Sequence, residues 1–176
     1  IVVEPDSVAT DTVEQKFWLV GGNERQQLLK DFISNEKPQR AIIFANRRDQ
    51  THRLVTYLTK KGIQCEGLAG DIPQKKRLST LNRFKEGKLQ YLIATDVAGR
   101  GIHVDGVSHV INFELPDDPE DYVHRIGRTG RAGADGVAIS FVSEDDAFNL
   151  PALEEYLGNE IKCVQPDDFD QHAAAK

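Results

Sequence analysis

The stretch AIIFANRRD, Ala41 to Asp49, decides the fold. Its first five residues form a continuous apolar run, the mark of a strand covered on both faces rather than one with a wet side. A helical pattern follows at about 49–61, with Leu54, Val55 and Leu58 on one side and Gly62 as its stop. The same alternation extends in both directions. Upstream, VEQKFWLV (13–20) reads as a strand ending at Gly21-Gly22, and NERQQLLKDFI (23–33) as a helix capped by Asn23. Downstream, IQCEGLAG (63–70) reads as a strand entering a Gly-Asp turn. A helix at about 73–86 then has Pro73 in its first turn, Leu78, Leu81 and Phe84 inward, and Gly87 as its end. YLIAT (91–95), VSHVINFE (107–114) and GVAISFV (136–142) supply further strands, and DAFNLPALEEYL (146–157) a last helix. Strands and helices joined by short connections predict an α/β fold, a mostly parallel twisted sheet with helices on both faces.

The 176 residues are enough for one domain with a sizeable core, and 39% hydrophobic with 28% charged residues is ordinary for a globular chain. No apolar run approaches the ~20 residues that span a bilayer, and no signal-peptide pattern opens the chain, so a cytoplasmic protein without a membrane partner is expected. Cys65 and Cys163 lack metal-ligand spacing and the five histidines are scattered, which leaves two reduced core thiols and no metal site as the expectation. The chain starts at Ile1 and contains no methionine, as a piece of a longer protein would. Residues 1–12 read as a linker, 13–164 as the domain and 165–176 as a flexible tail.

The formal charge is −6, yet the basic residues cluster: Arg47-Arg48, Lys75-Lys76-Arg77, and Arg125, Arg128 and Arg131 within HRIGRTGRAG (124–133). Ligands of parallel sheets sit beyond the carboxyl ends of the strands. The polar segments NRRD, GDIPQKKR, DVAGRG and HRIGRTGRAG are therefore all placed at that edge. No G-x-x-x-x-G-K-[ST] phosphate loop occurs, and Gly99-Arg100-Gly101 has Val104 where a dinucleotide fingerprint needs its third glycine. The tetrapeptides DDPE and SEDD read as surface turns rather than metal-holding segments. In PEDYVHRI (119–126), Tyr122, Val123 and Ile126 face inward on a short helix that Gly127, Gly130 and Gly133 then break. The arginines left on that loop suit phosphate, because a guanidinium fork grips two oxygens and stays charged. A solvated basic loop is the alternative on spacing alone.

HRIGRTGRAG resembles motif VI of the DEAD-box RNA helicases, and the other loops match in order. AIIFANRR resembles motif IV, GDIPQKKR the Q-x-x-R motif, and ATDVAGRGIH motif V, over roughly Val13 to Val164. The resemblance implies the second RecA-like domain of an ATP-dependent RNA helicase. It makes Arg128 and Arg131 arginine fingers for the ATP phosphates, with His124 and Arg125 building the interdomain face and coupling it to RNA. It places Arg47, Gly70, Arg77, Thr95 and Arg100 against the RNA sugar-phosphate backbone, with Gln74 supporting the Arg77 loop. Thr95 could instead merely cap a strand end, and Lys75, Lys76 and Arg77 could be the wet side of their helix. His103 stands where the family shows an Asp that contacts the ATP ribose, and Asp96 is expected to orient motif V and its arginines. ATP with Mg²⁺ would be held mainly by the family's first RecA-like domain, whose motifs are missing here. RNA and that N-terminal domain are the expected partners. An RNA-decay nuclease or RNP scaffold is a further one, docked on residues 149–164 or on the helix at 49–61.

Overall fold

The computed structural model describes residues 13–99, 106–129 and 136–166. Seven strands form one sheet: β1 Val13–Leu19, β2 Ala41–Phe44, β3 Glu66–Leu68, β4 Tyr91–Ala94, β5 His109–Asn112, β6 Gly136–Val142 and β7 Cys163–Val164, in the order β3-β4-β2-β5-β6-β1-β7. Every neighbouring pair is parallel. The expected mostly parallel sheet is thus wholly parallel among the described residues, and the carboxyl ends of all its strands share one edge.

All four residues of β2 and all four of β4 are buried, as their unbroken apolar runs require. One face is covered by α1 (Arg25–Glu36) and α2 (Arg48–Lys60), whose Leu29, Phe32, Leu54 and Leu58 pack on Ile43 and Ile93. The other face carries α3 (Gln74–Lys85), α4 (Asp96–Gly99), α5 (Pro119–Ile126) and α6 (Leu150–Leu157). Phe84, Tyr122, Ile126 and Leu153 from these helices meet Ile42 and Leu92. Each fully buried side chain of this size is worth about 1.5–3 kcal/mol, so the two layers carry the fold.

Several elements depart from the sequence expectation. Asn23 does not cap α1; Glu24 occupies that position without a side-chain bond, and the helix runs on to Glu36 before Lys37 turns left-handed (φ 46°) ahead of Pro38. Leu78 is half exposed rather than inward, because α3 lies over the short edge strand β3 and only Thr80 and Phe84 are buried along it. The last helix is split: Glu144–Asn149 is a 3₁₀ helix, and the α-helix begins one residue before Pro151, whose ring suits a first turn. SEDD is not merely a surface turn. Ser143 and Asp146 form a capping box and Asp146 is buried. The linker expected at 1–12 and residues 167–176 of the expected tail lie outside the described residues.

Cys65 is buried, and desolvation pushes its thiol up to about 11, so it behaves as a small apolar group. His109 sits edge-on to Phe32 with ring centroids 5.8 Å apart. Burial first, then the Lys16 ammonium, lowers its pKa below the ordinary 6.5, against a smaller opposing effect of Glu36. The folded chain therefore resists a proton that the unfolded chain accepts. The resulting stability is intact above about pH 6.5 and is lost as pH falls through the depressed value. Between pH 7 and 5 the wild type should lose more melting temperature than His109→Gln. Parallel losses in the two would exclude this histidine as a contributor.

Candidate nucleotide and nucleic-acid interface

The candidate site is organised by Arg125, in the last turn of α5. Asp118 caps that helix through Glu120 N–H at 2.9 Å, Pro119 starts it, and Glu120 and Asp121 suit its positive end. A helical side chain leans back toward the helix start, so the Arg125 guanidinium reaches the carboxyl edge of the sheet. It is 1% exposed there. Its Nε and Nη2 donate to the two Asp96 oxygens at 2.6 and 2.7 Å, and Nη2 also to Asn46 Oδ1 at 2.6 Å. Nη1 donates to the Glu114 carbonyl at 2.7 Å and to Asn112 Oδ1 at 3.3 Å, and the Phe44 ring lies 5.3 Å from Cζ. Five N–H donors thus meet five acceptor contacts.

Arg125, expected to help build the interdomain face, is thus buried beneath the surface rather than displayed on it. Its donors are all engaged inside the protein, and it joins the segments that follow β2, β4 and β5. Asp96 has both carboxylate oxygens turned to Arg125, in keeping with an orienting part rather than a base. A second buried arginine continues the network. Arg25 holds Asp146 at 2.5 Å and Ser143 at 2.6 Å and lies 3.7 Å from Glu114, whose other oxygen accepts from Asn46 N–H at 3.0 Å.

His124, Arg128, Asp96 and Arg125 line one depression with Phe44, Gly99 and Asp121. His124 is exposed and lies 3.8 Å from Glu120, one turn earlier. Arg128 is half-buried, its N–H bonded to the Arg125 carbonyl at 3.2 Å. The described part of HRIGRTGRAG does not sit beyond a strand's carboxyl end, as the sequence reading had it. It crosses the sheet face, and Thr129 Oγ1 donates to the Val107 carbonyl at 2.5 Å, ahead of β5. A parallel sheet dictates this, because the chain must return to the opposite edge before β6 can start.

The proposed RNA contacts follow three adjacent strands, β2, β3 and β4. Arg47 is exposed and paired with its neighbour Asp49 at 3.2 Å. Gly70 is exposed with open space where a Cβ would stand, so the surrounding protein does not demand glycine. Gln74 is exposed at the start of α3, and Arg77 Nη2 donates to the Ala98 carbonyl at 2.9 Å, tying α3 to α4. Thr95 Oγ1 accepts from Ala98 N–H at 3.4 Å, so this hydroxyl does bond locally. Arg100, His103 and Arg131 lie outside the described residues. Asn46, Glu114 and Arg25 were missed. The first two carried a signal, as polar residues directly after buried strands; Arg25 carried none.

Residues 24–133 match the family described as helicase conserved C-terminal domain. The ATP-dependent RNA helicase RhlB of Pseudomonas syringae pv. tomato is 53% identical over 94% of this chain and 42% of that protein. That of Pseudomonas aeruginosa is 55% identical over the same shares. Among solved structures, Escherichia coli DEAD-box protein SrmB bound to regulator of ribonuclease activity A superposes with a TM-score of 0.82 at 36% identity, covering 89% of this chain and 92% of that one. Saccharomyces cerevisiae Dbp5 bound to RNA and ADP BeF3 gives 0.83 at 33%, covering 94% and 44%. The parallel sheet with its arginine-bearing crossover helix is that of a RecA-like helicase C-terminal domain, and the chain belongs to that family. Its similarity there is to the RhlB type of DEAD-box protein, and it spans about 42% of the length of those relatives.

Proposed function

We propose that this chain is the second RecA-like half of an ATP-dependent RNA helicase acting in the cytoplasm, closing on ATP and RNA held partly by a first domain. The observation that carries the reading is the Arg125 network. It seats the segment bearing His124 and Arg128 beside Asp96 while leaving the loops after β2, β3 and β4 aligned along one edge. Arg128 and Arg131 are the fingers. They neutralise charge on transferring phosphate, a contribution of about 10³–10⁵ in rate for such groups. Arg125 and Asp96 are positioning residues. His103 and Arg100 stay assigned by resemblance, to the ribose and to RNA. Among the described residues no group of three or more His, Cys, Asp or Glu side chains could hold a metal. Mg²⁺ stays assigned to the first domain by resemblance.

Arg47, Gly70, Gln74, Arg77 and Thr95 contact the RNA backbone, which implies weak sequence preference and strong salt dependence. The isolated chain should show no ATP turnover and should bind single-stranded RNA weakly, with affinity dropping about tenfold or more between 50 and 200 mM salt. Robust turnover by the chain alone would overturn the division of labour, and salt-insensitive binding would overturn the backbone contacts. A second reading, a protein-docking module, is supported by the neighbour SrmB, solved with a protein partner. It places an RNA-decay or RNP scaffold on residues 149–164 or on the outer side of α2.

A further inference from the structure

At the other end of the carboxyl edge, beyond β6, β1 and β7, lies a groove of about 840 Å³. Its apolar floor includes Val20, Leu28 and Leu150. Its rim carries four carboxylates, Glu24, Asp31, Glu144 and Asp145, and among the described residues no lysine or arginine lines it. Asp31 is paired with Lys30 at 2.8 Å, whereas Glu24, Glu144 and Asp145 have no ion pair among the described residues. Exposed apolar side chains gather at the same place. Leu19 lines the groove, Phe148 (87% exposed) extends from the 3₁₀ helix next to the lining residue Ala147, and Val164 (46% exposed) precedes the lining residue Gln165.

We propose that this groove is a docking site for a basic, leucine-bearing segment of a partner protein. Concave apolar surface rimmed by polar groups is the ordinary form of such sites. Unpaired carboxylates around it select cationic partners and repel wrong ones. The sign of the rim disfavours nucleic acid, a polyanion. A bare cation is disfavoured because no set of three ligating side chains occurs among the described residues. The groove meets the docking surfaces named above at Leu150 and, beside its lining, at Val164, and it does not depend on the nucleotide reading. If a partner binds elsewhere on the chain, docking stands and this site falls.

The test is a titration of the isotope-labelled 176-residue chain with two synthetic peptides, Ac-LRKLLRRLLK-NH₂ and its acidic counterpart Ac-LEELLEELLE-NH₂. The basic peptide should shift the amide signals of residues 19–22 and 144–147, and the acidic one should not. The double charge reversal Glu144→Lys with Asp145→Lys should weaken binding about tenfold or more. Phe148→Ser, at an exposed position that leaves the core intact, should weaken it several-fold. Reversing Glu36 and Glu86, exposed acids outside both the groove and the docking surfaces named above, should leave it unchanged. No binding, shifts centred elsewhere, or equal loss in both charge-reversed pairs would each overturn the proposal.

Discussion

Replacing Arg125 with alanine is expected to cost the fold roughly 3 kcal/mol, read as a fall in melting temperature of about 6–12 °C for a chain of this size. The cost lies mainly in what stays behind. Asn112 is fully buried, and of its two side-chain contacts only the one to Ser140 Oγ at 3.0 Å would survive. The Glu114 carbonyl and Asn46 Oδ1 would each lose a donor at 2.7 and 2.6 Å. Asp96, 23% exposed, would recover water for its carboxylate, which holds the estimate at the lower end of the range for breaking a buried pair. Arg125→Lys should recover only part of the loss, since an ammonium offers three donors and no planar fork for a bidentate carboxylate. Circular dichroism melts of the three proteins measure this directly. A shift below 2 °C for the alanine variant would mean that the network does not hold these loops together.

Arg128→Ala should do the reverse. In a two-domain protein containing this chain, ATP turnover should fall about 10³-fold or more, with the melting temperature within about 2 °C of wild type. Arg128 is half-buried at the end of α5 and lies on the depression rather than beneath it. Truncating it therefore removes the charge that the proposed function aims at phosphate, without opening the core. Turnover reduced less than tenfold would reject the finger assignment, and an accompanying large drop in melting temperature would recast Arg128 as a second structural arginine. The pair of variants separates two residues that look alike in sequence, three positions apart in one glycine-punctuated arginine run.

That separation shows where sequence reading stops. The unbroken apolar runs at 41–45 and 91–94 identify strands buried on both faces, because a half-exposed strand must alternate. β7 is too short to carry any period, and α4 is a single turn after β4 that reads locally as loop. The arginine cluster was legible as a phosphate-binding candidate, but Arg125 and Arg128 could not be told apart. Helical spacing says which side of α5 a residue is on; it does not say that four carbonyl and carboxylate groups from three other segments converge there.

The sequence by itself determined the class of fold, the order of its longer elements and the segments where basic residues cluster, since all of these follow from local periodicity, turn residues and charge. Only the tertiary structure decided that, of the two arginines in the depression, Arg125 is buried scaffold while Arg128 stays half exposed, and that Asp146 is a core partner of Arg25 rather than a surface acid. The physical reason is desolvation. The same guanidinium or carboxylate becomes structural or available according to how much water and how many partners the folded chain leaves around it, and those partners lie up to 121 positions away along the chain.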